Sequence, residues 1–261
     1  MILVVNVGNT NITCGVFDTE KLVFQIRIRS NINYTEDQYF AVLFAYLQKH
    51  GIKEKDIRGG IVGSVVPAVT HIFVHMFKKY FSIKPVLLCN AKLNIKNKYQ
   101  RPHEVGDDRL ANAVAGRKLF GKQDMVIIDF GTAISFDVLN KKGEYLGGAI
   151  MPGLNLSLQA LFQKTAKLPQ VALDFPKNYI GATTEQSVQS GILYGVVGAI
   201  DKILKGIKKE LGVKKIKIIL TGGDAGKEVA VRMADKDVFI DNNFTLKGFK
   251  LIYDLNSKKK A

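Results

Sequence analysis

Two cysteines in 261 residues, no apolar run of membrane-spanning length and no zinc-finger spacing each remove a class of protein. Cys14 and Cys89 both lie amid apolar residues and fit a reducing compartment. They read as small core hydrophobes rather than as a disulfide or redox pair. A membrane helix needs about 20 consecutive apolar residues, and no stretch approaches that. The first residues pass directly into strand-like sequence with no basic region or cleavage site, so we expect no signal peptide, no membrane partner and a cytoplasmic location. His71 and His75 have a spacing that two metal ligands could share, but no third ligand accompanies them, and solvated or packed histidines explain them better.

Acidic residues are also scarce. Against 38 Lys and Arg stand 23 Asp and Glu, giving a net charge of +15. Such an excess attracts nucleic acid, an anionic surface or small anions. No basic helix is interleaved with aromatics, and much of the excess is solvated-looking lysine at 208–209, 214–215 and 258–260. Small anionic ligands are therefore favoured over nucleic acid. A hydrophobic content of 47% is enough for one large or two small domains with real cores.

What is present is organised around residues 1–18, MILVVNVGNTNITCGVFD. An apolar strand at 2–5, a tight turn at Gly8 and a second strand at 12–17 read as a β-hairpin. Its tip, Asn9, Thr10 and Asn11, offers backbone N–H groups and hydroxyls with no bulky side chain in the way, as a phosphate chain requires. Residues 125–138, MVIIDFGTAISFDV, repeat the plan 123 residues later, with Asp129 in the place of Asn6 and Gly131 in that of Gly8. Two half-length units, each opening on such a hairpin, suggest a duplication with a cleft between the halves. A strand at 217–221 running through Gly222-Gly223-Asp224-Ala225 into a helix lets a nucleotide's ribose and base lie against backbone.

Two hairpins and an adenosine loop in this order resemble the actin, Hsp70 and sugar-kinase superfamily. Within it the chain resembles type III pantothenate kinase over almost its whole length. The resemblance rests on VGNTN at 7–11, Gly106-Asp107-Asp108-Arg109, Asp129-Phe130-Gly131-Thr132-Ala133, GGAIMPG at 147–153, and Thr184 followed by Ser190-Gly191. It implies an α/β fold of two ribonuclease H-like (actin-like ATPase) lobes, each a mixed sheet flanked by helices, with an interlobe cleft. We expect lobes at 1–118 and 119–255 and a basic disordered tail at 256–261. The implied reaction is ATP-dependent phosphorylation of pantothenate, the first step towards coenzyme A, in a homodimer.

The same resemblance assigns the site. ATP goes to Asn6, Val7, Gly8, Asn9, Thr10, Asn11, Ile12 and Thr13, to Gly131 and Thr132, and to Gly222 and Gly223. Mg²⁺ travels with the phosphates. Asp129 ligates K⁺ or NH₄⁺; the plain alternative is a turn-capping aspartate. Asp108 is the general base, taking the hydroxyl proton as the phosphoryl group moves, with Asp107 beside it. Two acids at a helix start also complement the helix dipole, which explains Asp107 but not Arg109, a cation of the wrong sign there. Tyr99, Gly106, Asp107, Arg109 and Thr184 contact substrate, Thr184 across the dimer interface; its plain alternative is a helix N-cap. The chain departs from the family at position 6, normally an aspartate that orients Mg²⁺. Asn6 keeps the shape and loses the charge, so a second reading stands beside the first: a weak or inactive member acting as a ligand-binding or regulatory protein. A sugar kinase or Hsp70-like ATPase would carry large insertions that are missing.

Elsewhere the pattern predicts a strand at 21–30 and a helix opened by a capping box at Thr35–Gln38, buried through Phe40, Leu43, Phe44 and Leu47 and stopped by Gly51. Further elements are a strand at 60–66, a helix at 71–81, a strand at 85–89, helices at 110–119 and 154–162, and a strand at 144–151. A long helix at 187–211 aligns Gly191, Gly195 and Gly198 on one face, for close packing in a soluble core or dimer. A helix at 224–235 and late strands or packing segments at 238–240 and 250–253 complete the chain.

Overall fold

Near-continuous aliphatic character makes Ile2–Val7 the central strand β1 of the first sheet. β2 (Asn11–Asp18) pairs with it antiparallel and β3 (Lys21–Arg29) pairs with β2. On the other side of β1 lie β4 (Gly59–Ser64) and β5 (Val86–Leu87), both parallel, giving the order β3-β2-β1-β4-β5. The computed structural model describes residues 1–165, 168–223 and 225–257. The chain divides into two compact units, one of Met1–Lys118 with the segment from Phe244 onward, the other Leu119–Asn243.

In the first unit, α1 (Glu36–Lys49) and α2 (Pro67–Phe81) cover one face of the sheet. The predicted capping box is formed: Gln38 N–H donates to Thr35 Oγ1 and Thr35 N–H donates to Gln38 Oε1. Gly51, at φ +67°, follows the C-cap residue His50. Pro67 opens α2, which starts four residues before the predicted His71: the N–H that proline lacks would have no helical partner in the first turn. The core joins Leu3, Val5, Ile12 and Cys14 to Tyr39, Leu43, Phe73 and Phe77, and Phe40 stacks on Tyr80 at 3.6 Å. A two-residue strand β6 (Lys96–Asn97) precedes α3 (Asp107–Phe120). Helix α3 begins three residues earlier than predicted, so its acidic pair lies in the first turn.

The second unit repeats the plan. β7 (Met125–Phe130), β8 (Ala133–Leu139) and β9 (Glu144–Pro152) form an antiparallel meander. β10 (Lys217–Gly222) and β11 (Val238–Ile240) add parallel strands on the far side of β7, giving β11-β10-β7-β8-β9. Order and strand sense match the first sheet, and the fourth strand is again reached by a helical crossover, here α4 (Leu154–Lys164) and α5 (Thr184–Glu210). α6 (Ala225–Arg232) is shorter than the predicted 224–235, and Asp224 lies outside the described residues.

The end of the chain differs from expectation. Residues 250–253 belong to a helix, α7 (Phe244–Ser257), which packs on β1 and β4 of the first unit instead of closing the second. Asn256, expected in a disordered tail, is in α7, accepts from Lys92 N–H and donates to Lys92 O at 2.9 Å; residues 258–261 lie outside the described residues. The close approach of α7 explains the small residues facing it. A Cβ on Gly63 would meet Phe249 at 2.4 Å, and one on Gly248 would lie 2.1 Å from the Ala111 carbonyl oxygen of α3. Cys14 is buried, whereas Cys89 is exposed and so is no core residue. Among the described residues no helix is long and apolar enough to cross a membrane.

Candidate active site

In the first unit three chain segments end at one place. β1 delivers Asn6 and Val7, β4 delivers Gly63 and Ser64 in register with them, and α3 opens beside β4. The hairpin turn after β1 is closed by Gly8 N–H donating to Asn11 O at 3.0 Å. A Cβ on Gly8 would sit 2.9 Å from that oxygen, so the tightness of the turn depends on glycine. Asn9, Thr10 and Asn11 form an exposed tip, while Asn6 and Thr13 are half-buried opposite one another. Val7 and Ile12 point into the aliphatic core, so only their backbone is open to a ligand.

The acidic pair of α3 divides its work. Asp107 Oδ2 accepts from Ser64 N–H at 2.8 Å, which fastens the start of α3 to the end of β4. Asp108 Oδ1 accepts from the neighbouring Arg109 N–H at 2.8 Å and folds back over Gly106, where a Cβ would lie 2.7 Å from it. Burial pushes the Asp107 carboxyl above the ordinary carboxylate range, with the charge of Asp108 adding to the rise and the Ser64 N–H opposing it. Burial likewise raises Asp108, against the N–H and the charge of Arg109. Asp107 is thus tied into the fold, while the hydrogen bond of Asp108 lies within its own helix turn among the described residues. Tyr99 follows β6, half-buried, with its N–H donating to Asn97 Oδ1 at 2.9 Å.

In the second unit the other hairpin has the same construction with one residue fewer. Gly131 N–H donates to Ala133 O at 3.0 Å, leaving Gly131 and Thr132 exposed at the tip. Gly153 N–H donates to Thr132 O at 3.0 Å, and a Cβ there would lie 2.4 Å from Gly131 O, so the turn after β9 is a backbone buttress under the tip. Gly223 N–H donates to Phe130 O at 2.9 Å. Gly222, at φ +92°, passes so near Asp129 that a Cβ would lie 2.5 Å from its Oδ1. Asp129, Gly131, Thr132, Gly222 and Gly223 are therefore one cluster. Asp129 stands in register with Thr221, whose buried hydroxyl has no hydrogen-bond partner among the described residues.

Thr184 is the exposed first residue of α5, and the N-cap expected of it is Thr183, whose Oγ1 accepts from Gln186 N–H at 3.2 Å. His71 and His75 are exposed on α2, and no cluster of three metal-ligating side chains occurs among the described residues. Sequence reasoning missed Gly63, Ser64 and Thr221. The run of small residues in GGIVGS was the signal for the first two, since a buried strand without bulk marks close backbone approach.

A family profile described as type III pantothenate kinase matches residues 2–206. The type III pantothenate kinase of Geobacillus thermodenitrificans is 41% identical over 262 aligned residues, which cover the whole of both chains. That of Finegoldia magna is 40% identical over 98% of each. Among solved structures, the inorganic polyphosphate/ATP-glucomannokinase of Arthrobacter sp. strain KM superposes with a TM-score of 0.50 at 12% identity, covering 96% of each chain. At that identity the likeness is one of fold: two mixed sheets flanked by helices. With a profile match over most of its length and relatives alike from end to end, the chain belongs to the type III pantothenate kinase family.

Proposed function

We propose that the chain phosphorylates pantothenate with ATP to give 4'-phosphopantothenate, the first step of coenzyme A biosynthesis, in the cytoplasm. Transfer is direct and in line. Asp108 accepts the proton of the pantothenate hydroxyl as the phosphoryl group arrives, and Arg109 holds an anionic group of the substrate. Gly106, Asp107 and Tyr99 shape the substrate side. N–H groups of the glycine hairpins take phosphate, and Gly222 and Gly223 take the adenosine. The observation that carries this reading is the division between the acids: Asp107 is committed to Ser64, while among the described residues Asp108 bonds within its own turn.

Metal ions supply charge neutralisation at the phosphates. Asp129 with the unpartnered Thr221 hydroxyl is a pair of hard oxygen donors that suits K⁺ or NH₄⁺. Asn6 offers one neutral amide oxygen for organising Mg²⁺. The chain acts as a homodimer through α5, where Cβ atoms added at Gly191, Gly195 or Gly198 would meet nothing within 4 Å, and Thr184 contacts substrate from that face.

Asn6 also favours a second reading, a member that binds ligands and regulates without turning over. One experiment separates them. The purified chain and Asn6→Asp are incubated with ATP, Mg²⁺, K⁺ and pantothenate, and phosphopantothenate is measured. The kinase reading expects product from the natural chain, and a higher rate at limiting Mg²⁺ from the variant. A silent natural chain beside an active variant would leave the regulatory reading standing.

A further inference from the structure

β3 carries two arginines on the sheet face turned away from the aliphatic core. Alternation buries Phe24, Ile26 and Ile28 and leaves Gln25, Arg27 and Arg29 exposed. Arg27 pairs in register with Thr13, and Thr13 with Asn6; Arg29 pairs with Asn11 at the hairpin tip. Residues in register share a face, so Asn6, Thr13 and Arg27 form one transverse row. Ser30 N–H donates to Thr10 O at 2.9 Å, fastening the end of β3 to the glycine turn. Neighbouring strands are about 4.8 Å apart, so Arg27 stands two strands, roughly 10 Å, from Asn6, a gap that an extended guanidinium narrows to contact with a ligand lying over β2.

Neither arginine has a hydrogen-bond or ion-pair partner among the described residues, and the row holds no carboxylate to neutralise Arg27. Protection of an edge strand asks only for charge, which lysine supplies at least as well. A planar fork of donors is what a phosphate asks for.

We propose that Arg27, with Arg29 beside it, binds the polyphosphate of ATP over the first hairpin. The proposal rests on the kinase reading above and adds a binding side chain to it. With Asn6 neutral, the cation faces the phosphates without competition from an acid in its own row. A side chain that grips the phosphates changes affinity for them and leaves the nucleoside alone.

The test is calorimetric titration of the full chain with ATP, and displacement of a fluorescent ATP analogue by adenosine and by inorganic tripolyphosphate. Arg27→Gln is expected to weaken ATP and tripolyphosphate about tenfold, the worth of one charge-assisted hydrogen bond, and to leave adenosine unchanged. Arg27→Lys should recover part of the loss, Arg29→Gln should lose less, and natural chain and variant should converge at high salt. Unchanged thermal midpoints would verify that these exposed side chains leave the fold intact. Native-like tripolyphosphate affinity in Arg27→Gln, an equal loss for adenosine, or full recovery by Arg27→Lys would overturn the phosphate fork. If the natural chain itself binds no ATP, the kinase reading falls first and takes this inference with it.

Discussion

Asp108→Asn tests the chemistry and the electrostatics of the site together. The amide keeps the shape, and its oxygen can still accept from Arg109 N–H, so the start of α3 stays in place. What is lost is the capacity to take a proton. General bases contribute about 10²–10⁴-fold, and the loose transition state of phosphoryl transfer draws on the lower part of that range. A fall of about 10²–10³ in the single-turnover rate, roughly 3–4 kcal/mol, is therefore expected. Thr184→Ala, at an exposed first-turn position, should cost only a few-fold (on the order of 1 kcal/mol). Burial holds the Asp108 carboxyl above its ordinary value, so the native rate should fall on the acid side at a pH above the usual ~3.9, and the variant should lack that limb. Stability moves the other way. A carboxyl whose folded pKa is raised binds its proton more tightly in the native state, so native stability falls as pH rises from the unfolded value through the folded one. Above that window the penalty is complete. At neutral pH Asp108→Asn should accordingly melt higher than the natural chain, the gap closing below about pH 3.9. A native single-turnover rate in the variant would refute the base, and a lower melting temperature at neutral pH would refute the buried charge.

Two further outcomes check the fold around the site. Gly248→Ala gains about 1 kcal/mol of helix propensity, yet its methyl would lie 2.1 Å from Ala111 O, so denaturant unfolding should show a net loss of about 2 kcal/mol or more; a stabilised variant would show that α3 and α7 do not cross there. Burial pushes the Cys14 thiol up to about 12 while Cys89 is exposed. Iodoacetamide at pH 8 should therefore label one thiol of the native chain, at Cys89, and reach Cys14 only on unfolding; labelling of Cys14 in the native state would contradict the buried core.

Local rules carried the sequence furthest. Thr35 and Gln38 announced α1, alternation announced β3, and the paired glycine turns announced two sheets of one design, because each signal is complete within a few residues. Contacts set by distant chain were harder to read. Residues 250–253 look strand-like in isolation, whereas in the fold they continue a helix that buries Phe244, Leu246, Phe249 and Ile252. Cys89 sits in an apolar stretch yet is exposed, since a two-residue strand and a short turn there leave no room to bury it. The acidic pair was legible as a pair. Which member is fastened to the fold depended on Ser64, 43 residues earlier in the chain, a partner that no spacing rule supplies.

Because α7 seats on β1 and β4, the first unit is completed by the last described part of the chain. During synthesis the opening sheet must wait, one face bare, until more than a hundred later residues have left the ribosome, while the continuous second unit can settle beforehand. A ribosome stalled shortly before Phe244 would leave a nascent chain whose first half is sticky and whose second half is sound, the kind of intermediate that chaperones hold.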